Sequence, residues 1–144
     1  MKRGFCDDID KLTVDNEDFR RVLYTGEHLQ LVLMTLQPGE EIGEEVHEDR
    51  DQFFRFEEGQ GVVDIDGREN PVMDDFAVIV PAGARHNVRN TGTEPLRLYT
   101  VYASPASGSG RTLSATVTQV VPARVPLKLN ITSAMSAGGD LNLS

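Results

Sequence analysis

Apolar side chains recur along this chain either continuously over short runs or at every second position, the period of β-strands. His28 to Gln37, HLQLVLMTLQ, is a near-continuous β-type run stopped by Pro38-Gly39. It predicts a strand buried over much of both faces. Gly61 to Asp66, GVVDID, alternates and ends at Asp66-Gly67, the strongest short hairpin signal in the chain. Asp64 and Asp66 are read as the solvated face of that hairpin. Further strands are predicted at Arg20 to Tyr24, Glu45 to His47, Gln52 to Glu57, Phe76 to Val80, Arg85 to Val88 and Leu96 to Tyr102, with turn formers such as Pro81-Ala82-Gly83 between them. Short strands at this spacing, without a long helical pattern, predict an all-β fold, an antiparallel sandwich or barrel.

Length and charge divide the chain. Its 144 residues suit one ordinary domain, large enough to bury a core without disulfides. Residues 1–104 carry 22 acids and 11 bases, whereas residues 105–144 carry one acid, Asp140, and three bases, Arg111, Arg124 and Lys128. The chain is therefore read as an N-terminal arm over 1–27, a β-barrel over 28–104, and a linker with a C-terminal extension over 105–144. The extension opens with PASGSG and contains the alternating run VPLKLNI. It is read as an addition to the barrel, an engineered or vector-derived piece, or a strand that pairs with a second subunit.

A net charge of −9 argues against nucleic acid or an anionic membrane as partner, because both require clustered Lys and Arg. No apolar run approaches the ~18 residues of a membrane span, and the start, MKRGFCDDID, lacks the apolar segment of a secretory signal. The lone cysteine, Cys6, agrees with a reducing compartment, so the expected location is cytoplasmic.

The chemistry concentrates in two stretches, PGEEIGEEVHEDRDQFFRFEEGQG (38–61) and PAGARHNVRN (81–90). Glu45 and His47, two residues apart, share one face of an extended strand. Gln52 follows, with Phe54 and Phe56 continuing its alternation, and His86 arrives after a Pro-x-Gly turn. If the two stretches meet, these four residues become convergent donors for a divalent transition metal. Phe54 and Phe56 are expected inside the barrel as core or pocket wall. Tyr99 and Tyr102 have opposite parity, so at most one faces the cavity, and Tyr99 is taken as the pocket-lining candidate. Arg55 and Arg97 are expected to point outward, Asn90 to cap a turn, and His28 to lie on the surface.

These stretches resemble the paired motifs of the cupin superfamily, small antiparallel β-barrels of jelly-roll type. The first motif is followed in spacing by Gly39, Glu45, His47, Gln52 and Gly59, with Glu45 where a histidine is expected and Gln52 where a glutamate is expected. The second is followed by Pro81, Gly83, His86 and Asn90, with Asp75 in place of its opening glycine. The resemblance implies metal-ligand positions at Glu45, His47, Gln52 and His86. One negative charge is retained, on Glu45 instead of at the position of Gln52. Such donors suit Mn, Fe, Co, Ni or Zn.

The resemblance further implies a homodimer and a small polar substrate: a sugar, sugar phosphate or oxo-acid, turned over by isomerase, lyase or dioxygenase chemistry. Many small cupins of this kind resemble the cupin part of mannose-6-phosphate isomerases. The acidity of the barrel region speaks against a very anionic substrate. Without metal, Glu45 becomes the candidate general base, a carboxyl enclosed by Phe54 and Phe56. The alternative function is a non-catalytic module that binds a small ligand.

Overall fold

The computed structural model describes residues 2–104; the linker and extension expected over 105–144 lie outside the described residues. One short helix, α1 (Ile9–Asp15), precedes eight strands: β1 (Arg20–Thr25), β2 (Leu29–Leu36), β3 (Asp51–Glu58), β4 (Gly61–Ile65), β5 (Arg68–Val72), β6 (Ala77–Val80), β7 (His86–Asn90) and β8 (Leu96–Ala103). They form a five-stranded sheet, β1-β2-β8-β3-β6, and a three-stranded sheet, β5-β4-β7. All pairings are antiparallel. Isolated bridges from Glu41 to Arg89 and from Glu45 to His86 extend the smaller sheet beyond β7.

Inward side chains of the two sheets make one apolar core. Val32, Met34 and Leu36 of β2, Phe54 and Phe56 of β3, and Leu96 and Leu98 of β8 meet Val63, Val72 and Val88 of the smaller sheet. The continuous apolar run of β2 has its explanation on the other face, where Leu33 and Thr35 are also buried. The N-terminal segment covers them. Asn16 donates through Nδ2 to Thr35 Oγ1 at 2.9 Å, and Thr35 Oγ1 donates to the Asn16 carbonyl at 2.9 Å. Arg97 also donates to that carbonyl. The segment expected as an arm thus supplies α1, which is N-capped by Asp8, and an edge strand of the larger sheet.

Two turns hold the register. Asp66 and Gly67 both have positive φ, 50° and 85°, as the two-residue hairpin turn between β4 and β5 requires. Asp75, where the cupin motif opens with glycine, has φ of 71°. An aspartate tolerates that conformation better than most residues, and the Asp75 carboxylate accepts from Arg55 at 3.1 Å.

Candidate metal centre

Glu45 and His86 lie directly opposite one another across the bridge that extends the smaller sheet. Each backbone N–H donates to the other's carbonyl at 2.9 Å, so the two side chains project to the same side. His47, two residues on, shares that side. Its own carbonyl accepts from Gly83 N at 2.8 Å, which seats the Pro-x-Gly turn against the Glu45–His47 strand and aims the segment entering β7. Gln52 comes from the larger sheet, paired with Val80 on β6 and Tyr102 on β8.

The four side chains converge. One ligand atom each from Glu45, His47 and His86 lies within 4.8 Å of the others. His47 Nε2 is 3.2 Å from Glu45 Oε1, and His86 Nε2 is 4.0 Å from the same oxygen. Gln52 Oε1 lies 3.1 Å from His86 Nε2. Gln52 and His86 are buried, at 2% and 3% exposure, and the Glu45 side chain is 13% exposed.

Neighbouring hydrogen bonds determine which atoms carry protons. The Ala84 carbonyl, 3.1 Å from His86 Nδ1, can only accept, so Nδ1 carries the hydrogen of the neutral ring and Nε2 presents a lone pair. On the other side, Thr100 Oγ1 donates to the Phe53 carbonyl at 2.9 Å and accepts from Gln52 Nε2 at 2.9 Å. That arrangement points the Gln52 amide oxygen into the site. Two acceptors therefore face each other in a buried place, which is costly unless a cation lies between them.

Burial shapes the charges in the same way. It pushes the Glu45 carboxyl well above the usual carboxylate range, with Arg20 opposing. It holds the His47 ring well below the usual histidine range, helped by the charges of His86 and Arg50. It lowers His86 to about 4, against the Ala84 hydrogen bond and Asp66. Two neutral imidazoles, an amide oxygen and a carboxylate destabilised by its surroundings form a donor set that fits a divalent transition ion. The hydrogen bonds from His86 to Ala84 and from Gln52 to Thr100 are of the kind that orient metal ligands.

The surrounding wall corrects one expectation. Tyr99 does not line the cavity: its ring packs on Phe53 at 6.4 Å between centroids, on the opposite face of the larger sheet. Inward positions on β8 are Leu96, Leu98, Thr100 and Tyr102, as the burial of the first three records. Tyr102 meets His47 edge-on at 5.3 Å. Phe54 packs its ring against His86 at 6.1 Å and stacks on Phe56, also at 6.1 Å. Phe54 thus touches the site, whereas Phe56 lies one position deeper along β3.

The remaining candidates are structural. Arg97 faces outward and pairs with Glu58 at 3.3 Å, and Arg55 pairs with Asp75. Asn90 is buried and ties the loop before β8 in place, donating to the Leu36 and Glu94 carbonyls and accepting from Gly92 N. His28 lies on the surface beside Glu27, 3.7 Å away.

Comparison with known proteins agrees with this architecture. Residues 32–102 match the family described as the cupin domain. The BH2720 protein of Bacillus halodurans, of known structure, is 49% identical, with a TM-score of 0.69 over 73% of this chain and 84% of its own. A Thermotoga maritima structure that carries the name predicted oxalate decarboxylase is 25% identical, with a TM-score of 0.52 over 53% of this chain and 66% of its own. The uncharacterized protein YrkC of Bacillus subtilis is 45% identical over 109 residues, 72% of this chain but only 59% of its own length. The chain belongs to the cupin superfamily.

Proposed function

We propose that this cupin is a metal-dependent enzyme whose barrel holds one divalent transition ion through Glu45, His47, Gln52 and His86 and acts on a small polar substrate. The observation that carries this reading is the meeting of His86 Nε2 and Gln52 Oε1 at 3.1 Å, two acceptors with Glu45 Oε1 4.0 Å from the imidazole nitrogen. When bound, the ion would supply Lewis-acid polarisation and a template for substrate oxygens. The chain's own residues do the rest. Phe54 and the β8 wall limit water, Ala84 and Thr100 fix the tautomer and the amide orientation, and Tyr102 packs edge-on against His47.

Isomerase, lyase and dioxygenase chemistry on a sugar, sugar phosphate or oxo-acid are all compatible with this arrangement. The likeness to the Thermotoga maritima protein favours the acid class. A homodimer is part of the same reading, supported by the exposed Ile79 and Phe76 at the β6 edge of the larger sheet. We place the protein in the cytoplasm, where an exposed free thiol such as Cys6 persists.

A second reading draws on the 3.2 Å contact between His47 Nε2 and Glu45 Oε1. Without metal, that pair is a general base with its proton relay in place. Elemental analysis of purified protein, with His47→Ala and His86→Ala as controls, separates the two. Stoichiometric metal lost in both variants supports the metal centre. Turnover without metal supports Glu45 as base, and ligand binding with neither metal nor turnover supports a non-catalytic module.

A further inference from the structure

The barrel is open along the edge formed by β1. Cross-strand partners in a sheet direct their side chains to one face, and Val22 pairs with Val32. Val32 is fully buried on the core side, yet Val22 is 43% exposed. The smaller sheet therefore leaves the inward face of β1 uncovered at this point. Arg20, two residues earlier and paired with the buried Met34, enters from the same side.

What surrounds Arg20 gives it a use. Among the described residues, ion pairs engage Arg50, Arg55, Arg85, Arg89 and Arg97 and leave out Arg20 together with Arg3, Arg21 and Arg68. Those three are exposed, whereas Arg20 is half-buried. Burial opposes ionisation of both the Tyr102 phenol and the Glu45 carboxyl, and the positive charge of Arg20 favours it. Tyr102 in turn touches His47. A guanidinium without a carboxylate partner, a phenol and the rim of the donor cluster thus stand together at the opening. With a divalent ion in place and Glu45 ionised, this corner is locally positive although the chain as a whole is acidic.

We propose that Arg20, with Tyr102 beside it, holds a carboxylate of the substrate at the open edge of the barrel, so that the site takes small carboxylic acids with a second oxygen donor. A guanidinium binds a carboxylate in a planar two-point contact, and the second oxygen is directed inward toward the donor cluster. The proposal deepens the metal-centre reading and rests on it for the role of that second oxygen. It also revises the expectation that an acidic barrel disfavours anions: a single carboxylate meets the local field, not the net charge.

The test uses pyruvate and its neutral counterpart pyruvamide in calorimetric titrations of manganese-loaded and metal-free protein, alongside Arg20→Gln, Arg20→Lys and Tyr102→Phe. Wild-type protein is expected to bind pyruvate saturably and in preference to pyruvamide. Arg20→Gln should weaken pyruvate by roughly tenfold or more, the scale of one charge-assisted hydrogen bond, and leave manganese affinity within about twofold. Arg20→Lys and Tyr102→Phe should lie between and provide the answer if Arg20→Gln fails to fold. Equal pyruvate binding by wild type and Arg20→Gln overturns the proposal, as does an absence of saturable pyruvate binding to wild type. A variant that loses manganese while keeping pyruvate also overturns it, by making Arg20 a counter-charge for Glu45 alone. Failure of wild type to take up manganese sinks the metal centre instead, and the Arg20 comparison is then read on metal-free protein.

Discussion

His86 and Gln52 face one another at 3.1 Å, imidazole Nε2 against amide oxygen, with the proton of His86 committed to Ala84 and the amide hydrogens of Gln52 turned toward Thr100. Gln52→Glu tests what this contact is for. Added negative charge should tighten metal binding by about tenfold or more while lowering the melting temperature of metal-free protein, because a second carboxyl is then buried beside Glu45. Metal titration followed by melting in a chelator measures both. A variant that melts like wild type without metal and binds metal no more tightly contradicts the lone-pair geometry.

Removing metal should destabilise the fold. Binding to the native state alone adds about 4 kcal/mol at a thousandfold excess over Kd, a shift of many degrees for a domain of this size. Thermal melts with and without chelator read this directly. His47→Ala should respond weakly to chelator if the site holds the ion.

The pH dependence of metal-free protein has two opposed parts. His86, lowered to about 4 in the fold, binds fewer protons than in the unfolded chain between that value and about 6.5, so stability is lost as pH falls through this window. The full loss is about 3 kcal/mol. Glu45 is raised in the fold, so its contribution runs the other way: stability falls as pH rises above the ordinary carboxylate range. Melting temperature against pH should lose part of its acid-side slope in His86→Asn, the lowered His47 supplying the rest in the same direction, and should flatten on the neutral side in Glu45→Gln.

Gly59 tests the backbone. Its φ is 105°, and a Cβ there would lie 2.6 Å from the Pro95 carbonyl oxygen and 2.9 Å from Leu96 Cα. Gly59→Ala should cost about 2–4 kcal/mol, seen as a lower denaturation midpoint with unchanged slope.

Most of the barrel was legible in sequence because its strands carry period-two patterning and its turns carry the residues their dihedrals require. Spacing placed Glu45 and His47 on one face of a strand and set the parity of Gln52, whereas the expectation that His86 joins them came from the cupin resemblance. What escaped has identifiable causes. The seven residues of α1 are too few to show a helical period, and the Asp8 cap was the one signal available. β5, RENPV, has one buried apolar residue, Val72, and follows its partner only through the Asp66-Gly67 turn. Tyr99 and Tyr102 had equal claims in isolation. Counting inward from Leu96 and Leu98, both apolar, would have chosen Tyr102.

The reciprocal backbone hydrogen bonds between Glu45 and His86 make the donor cluster a reporter of strand alignment. A slip of one residue between those segments would turn Glu45 and His47 outward together while β4 kept His86 in place, so two of the four donors would be lost at once. Occupancy by an ion would accordingly count correctly assembled molecules one by one, and misassembled chains would go unmetallated.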